Sequence, residues 1–167
     1  MPEFHPSSAG KFSATPVQVL RLRQEAPLHP RKFTSVEDCT DAIRQAMSIF
    51  GGHGVIEDFS CLPRLYRDSA VNELWEGPRN VLLAQLHRDL QRAAEWYPTS
   101  DFVRSVLAGG DAGTVSELAR EISALVDHPS LLTMDEQTVE VCRRWDESCR
   151  DLFHAYQDIA LRQVEAK

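Results

Sequence analysis

From Thr34 onward, apolar residues recur every three or four positions. Val36, Cys39, Ile43, Ala46, Met47 and Phe50 form the first stripe. Ser35 precedes it with Asp38 three residues on, a spacing that predicts an N-capped amphipathic helix over 35–50. Gly51-Gly52-His53-Gly54 ends it, because glycine takes the positive φ that a sharp exit requires. A connecting segment through Pro63 and a short helix over 68–76 follow. That helix closes before Gly77-Pro78, since proline disfavours helical geometry in the residue ahead of it. A helix over 79–96 carries Leu82, Leu83, Leu86, Leu90, Ala93 and Ala94 on one face. Three further patterns cover 100–108, 114–127 and 133–165. The last opens on Thr133 and Glu136 at capping-box spacing and runs on through Trp145, Cys149, Phe153 and Tyr156, which read as packing residues. No stretch alternates apolar and polar residues between turns, so the predicted fold class is all-α, an up-and-down bundle of four to five helices.

The chain divides by pattern into three parts. Residues 1–33 hold five of the nine prolines and only Val17, Val19, Leu20 and Leu22 to bury, which predicts an irregular, partly disordered leader. Residues 34–96 carry the glycine turn and the Trp75-Glu76-Gly77 triplet, and 97–167 form a helical C-terminal extension. At 1.5 Å per residue the last helix is roughly 45 Å long against about 24 and 27 Å for those at 35–50 and 79–96. Its apolar stripe outruns its neighbours, so its end frays or another chain covers it.

Composition narrows the function classes. With 18 Lys plus Arg against 25 Asp plus Glu, the net charge of −7 repels polyphosphates, and nucleic acid is not the expected partner. No apolar run approaches the roughly 18–20 residues that span a bilayer, and the N-terminus shows no secretory core, so no membrane role and a cytoplasmic location are expected. The four cysteines lack a C-x-x-C pair and read as reduced, mostly buried small hydrophobes. The six histidines never fall at metal-ligand spacing with one another, and no metal is expected.

Chemistry concentrates in residues 51–80. A Gly-Gly-x-Gly turn at a helix end offers backbone N–H groups on a surface free of side chains, suited to close approach of an extended or phosphorylated ligand, although it equally serves as a plain C-cap. Glu76 stands between Trp75 and Gly77. Beside bulky apolar groups a carboxylate is harder to ionise and so better suited as a general base, and the glycine leaves room for a substrate; the alternative is a solvated glutamate at a helix end.

These pieces come in a fixed order: Gly51-Gly52-His53-Gly54, Glu57-Asp58, Arg67-Asp68, Ala70-Val71 and Trp75-Glu76-Gly77. In that order residues 32–90 resemble the C-terminal helical domain of the acyl-CoA dehydrogenase family, apparently without the N-terminal and middle domains. The resemblance implies a flavoenzyme that takes two hydrogens from the α and β carbons of an acyl-CoA thioester, with FAD as cofactor. Glu76 would remove the α-proton, its backbone N–H would support the thioester carbonyl, and the β-hydrogen would leave as hydride to the flavin. Gly51 and Gly52 would lie against the adenine-diphosphate end of FAD, often that of a neighbouring subunit, with Gly77 and Ser48 as further cofactor contacts. Arg67, Asp68 and Trp75 would be structural.

The chain also departs from the family pattern. Ser48 stands where the family commonly has a longer glutamine, and Pro78 where many members have threonine, which removes a donor and a hydroxyl. The missing cleft walls imply a homo-oligomer or a partner chain that supplies them. A rival reading keeps the ancestry and drops the chemistry: a catalytically silent helical module for self-association or partner binding.

Overall fold

In a computed structural model, residues 28–75 and 77–166 are described, with side chains from Lys32 onward. Among them there is no strand. Seven helical elements run in order: α1 Leu28–Phe50, the single turn α2 Gly52–Val55, α3 Leu62–Trp75, α4 Arg79–Ala94, α5 Thr99–Val106, α6 Ala112–Val126 and α7 Glu136–Glu165. The all-α class is as the periodicity predicts.

Helix α1 starts well before the expected Ser35. Residues 28–33, assigned by pattern to the irregular leader, are helical, and residues 1–27 lie outside the described residues. Pro30 does not prevent this, because a proline in the first turn removes an N–H that has no partner there anyway. What rewards the extra turns is burial: Phe33 is 4% exposed within the core. Ser35 is therefore no cap, and its hydroxyl turns back toward the Lys32 carbonyl. Helix α3 is likewise longer than the predicted 68–76, with Ser60 Oγ accepting from Leu62 N at its start.

Helices α1 and α3 run antiparallel. Thr40 Oγ1 donates to the Val36 carbonyl at 3.0 Å and so receives the Ser69 hydroxyl proton at 2.7 Å, a buried cross-link midway along the pair. The main core lies elsewhere, among Leu86 and Leu90 of α4, Phe102 and Val103 of α5, Ala119 and Ile122 of α6, and Trp145, Cys149 and Leu152 of α7, with Phe33 reaching in from α1. Helix α4 thus joins the motif-bearing helices to the extension in one packed unit.

Two polar links fix α7 and α6 to α4 inside that core. Trp145 Nε1 donates to the Leu83 carbonyl at 3.0 Å. His87 faces the Leu125 carbonyl through Nε2 at 3.1 Å, which requires the Nε2–H tautomer, and its ring meets Trp145 edge-on at 5.3 Å. Burial there pushes the His87 pKa down from 6.5.

Helix α7 is capped by Asp135 and not by Thr133. The Asp135 carboxylate accepts from Thr138 N at 2.8 Å and Thr138 Oγ1 at 2.7 Å, and these bonds hold its pKa below the usual value. A charged acceptor reaching two donors displaces the capping box that the spacing suggested. The cysteines are unpaired, but Cys39 and Cys61 are exposed and only Cys149 is buried, which corrects the expectation that most lie inside.

Candidate functional site

At the far end of α1, Gly51 takes φ 56° and ψ −133°, a conformation open to glycine and strained for other residues. Gly51 and Gly52 are exposed, and a Cβ on either would meet nothing within 4 Å. Together they form a bare backbone ledge. Gly54 differs: it is buried, and a Cβ there would lie 2.4 Å from the Met47 carbonyl oxygen. His53 points outward with its ring edge-on to Phe59 at 4.9 Å. Ser48 bonds its own helix, Oγ donating to the Arg44 carbonyl at 3.1 Å. Arg67 pairs with Glu57 across the α2–α3 connector, both side chains more than half exposed, while Asp68 is exposed. The Arg-Asp couple is thus two surface residues, one of which ties down the connector.

The second predicted piece is at the other end of the hairpin. Helix α3 ends at Trp75, Gly77 N donates to the Leu74 carbonyl at 3.1 Å, and Gly77 takes φ 112°. Pro78 then opens α4, its carbonyl accepting from Val81 N at 2.9 Å and Leu82 N at 3.3 Å. Glu76 lies outside the described residues. Its neighbour Trp75 is 79% exposed, so within this chain the indole is not packed away.

Beside this elbow is a cleft of about 300 Å³. Phe33, Val36 and Leu82 give it an apolar floor, Lys32, Ser35, Asn72 and Glu73 a polar rim, and Trp75 and Gly77 an edge. Its volume is at the lower end for a ligand site. Val36, at the cleft, and Gly51, at the ledge, are fifteen positions apart on one helix, or about 22 Å at 1.5 Å per residue. The structure therefore does not bring Gly51 and Gly52 together with Trp75 and Gly77.

Arg79 was not singled out by the sequence, and it is the most connected side chain near the elbow. Its guanidinium pairs with Glu37 of α1, donates through Nε to Asp146 of α7 at 2.7 Å, and lies over the Phe33 ring with Cζ 4.8 Å from the centroid. No local pattern could have announced it, since its partners are 42 and 67 positions away.

For a dinucleotide cofactor the ledge fits as one wall: it has no side chains to obstruct approach and is open to solvent. Nothing else described closes around it. Among the described residues no group of three or more His, Cys, Asp or Glu is placed to hold a metal ion, and no helix is long and apolar enough to cross a membrane.

Both the ledge and the elbow fall within residues 15–91, which match the family model of the acyl-CoA dehydrogenase C-terminal domain. That segment is similar to the acyl-CoA dehydrogenases. Two curated relatives agree. The putative acyl-CoA dehydrogenase AidB of Escherichia coli (strain K12) is 42% identical over 55 residues, 33% of this chain and 10% of that protein. Acyl-CoA dehydrogenase family member 11 of Caenorhabditis elegans is 37% identical over 76 residues, 46% of this chain and 12% of that protein. The chain thus spans about a tenth of the length of the curated relatives it matches. No solved structure gives a significant match. The matched segment stops within α4, so α5–α7 lie beyond it.

Proposed function

We propose that this chain contributes the C-terminal part of an FAD-dependent acyl-CoA dehydrogenase, with Glu76 as the base that removes the α-proton of the thioester. The observation that carries the reading is the position of Trp75 and Gly77, the sequence neighbours of Glu76: both fall within the family-matched segment and both edge a cleft, Trp75 at the end of α3 and Gly77 ahead of α4. Gly77 adds no side chain where a substrate must approach. The Glu76 carboxylate takes the proton, and its backbone N–H supports the negative charge that moves onto the thioester oxygen. FAD, when bound, accepts the β-hydrogen as hydride. Gly51 and Gly52 would lie along its adenine-diphosphate end, with Gly77 near its reactive end.

Such chemistry needs a dry cleft, and Trp75 lies open here. The remaining walls come from further sequence or a second chain. The exposed apolar side chains Ile49, Phe50, Phe59, Leu74 and Trp75 support an oligomer or partner that covers them. The same residues favour the second reading, a silent self-association module.

The test is substrate proton exchange. A preparation that binds FAD and exchanges the α-hydrogen of an acyl-CoA with solvent supports the enzyme, and Glu76→Gln should abolish exchange while flavin stays bound. Exchange that survives in Glu76→Gln removes the base assignment, and a colourless oligomer that neither takes up FAD nor exchanges substrate protons leaves the silent module.

A further inference from the structure

We propose that Arg79 is the positioning residue of the Gly77-Pro78 turn, and that through it the extension α5–α7 acts on the cleft beside that turn. This rests on the reading of Glu76 as the base. Among the described residues the turn carries the bond from Gly77 N to the Leu74 carbonyl and those from Val81 N and Leu82 N to the Pro78 carbonyl. Its anchor stands two residues further on.

Arg79 is the first residue of α4, and its side chain is 20% exposed. A planar guanidinium can satisfy two carboxylates from different directions, which an ammonium cannot do with fixed geometry. Here one carboxylate is Glu37 of α1, the helix that floors the cleft with Phe33, and the other is Asp146 of α7. Asp146 follows Trp145, whose indole N–H is bonded to the Leu83 carbonyl and whose ring is buried in the core. The chain of contacts therefore runs from the packed core through Asp146 to Arg79, and along the backbone to Pro78 and Gly77. A second ion pair, Arg150 to Glu37 at 3.6 Å, ties α7 to the same carboxylate. The extension is in this way a mount for the elbow.

Amide hydrogen exchange on the full chain tests the mount without substrate. In Arg79→Met and Asp146→Asn, the amides of Gly77, Val81 and Leu82 should exchange about tenfold faster, the loss of a charge-assisted bond, while amides in the middle of α6 keep their rates. Asp146→Glu, which retains the carboxylate, should restore most of the protection. Unchanged exchange at the elbow, or equal acceleration throughout α4–α7, overturns the proposal. In a preparation that exchanges substrate α-protons, Arg79→Met should lower kcat with KM unchanged; an unaltered kcat also overturns it. Proton exchange retained by Glu76→Gln sinks the base assignment alone, because amide exchange at the elbow involves no substrate.

Discussion

The three glycines of the turn after α1 have different physical tasks, and substitution by alanine should separate them. At Gly54 the added Cβ would lie 2.4 Å from the Met47 carbonyl oxygen and 2.8 Å from Met47 Cα, both backbone atoms in the body of α1. Ordinary contact is at 3.5–4.0 Å, so the turn has to retreat by roughly 1 Å, and overpacking of this kind costs about 1–3 kcal/mol or more. At Gly51 there is space but the wrong backbone: φ 56° with ψ −133° strains an L-residue by about 1–3 kcal/mol. Gly52 has neither problem, with nothing within 4 Å and no positive φ. Urea unfolding should therefore show Gly51→Ala and Gly54→Ala destabilised and Gly52→Ala within about 0.5 kcal/mol of the parent, the usual range for a neutral surface change. Amide exchange through 51–60 would show the same order should the turn open locally before the bundle melts. Equal effects of Gly52→Ala and Gly54→Ala would refute the reasoning. Because Gly52 carries no folding duty, a Gly52→Val chain that keeps its stability yet loses flavin would assign that position to the ledge.

Two further outcomes follow from the bundle. Burial lowers the pKa of His87, so between the folded value and the unfolded 6.5 the unfolded chain holds more protons. Stability contributed by the neutral ring is complete above pH 6.5 and declines as pH falls, by at most about 1.4 kcal/mol per unit; His87→Gln should flatten that decline in urea midpoints measured from pH 7.5 to 5, and an unchanged slope would count against it. Asp135→Ala should lower the thermal midpoint by about 2–4 °C, the scale of one lost cap, while Thr133→Ala leaves it unmoved; the reverse order would return the cap to Thr133.

Much of the bundle is legible in the sequence because α4 and α6 each bury one stripe against one core, and a stripe at helical spacing is a local signal. Leu82, Leu86 and Leu90, or Leu118, Ile122 and Leu125, need no knowledge of their partners to be found. The start of α1 is different. Prolines near it read as breakers, whereas the reason the helix reaches back to Leu28 is the burial of Phe33 beside residues of α4 to α7. The same holds for Asp135, which outcompetes the capping box because its carboxylate meets two donors on Thr138, a choice that spacing does not decide.

The candidate site was visible as residues and invisible as an arrangement. Glycine turn and Trp-Glu-Gly elbow follow one another closely in sequence, yet the antiparallel pairing of α1 with α3, cross-linked at Thr40 and Ser69, sends them to opposite ends of the hairpin. With about 22 Å between ledge and cleft, a compact ligand of one elbow cannot also rest on the ledge of the same chain. Under the proposed function, a ligand touching both within one chain needs the length of a dinucleotide, and the alternative is a ledge that serves the elbow of a neighbour. In both cases α1 is the ruler that sets the distance, Gly54 packed on Met47 fixes one end of it, and Arg79 between Glu37 and Asp146 fixes the other.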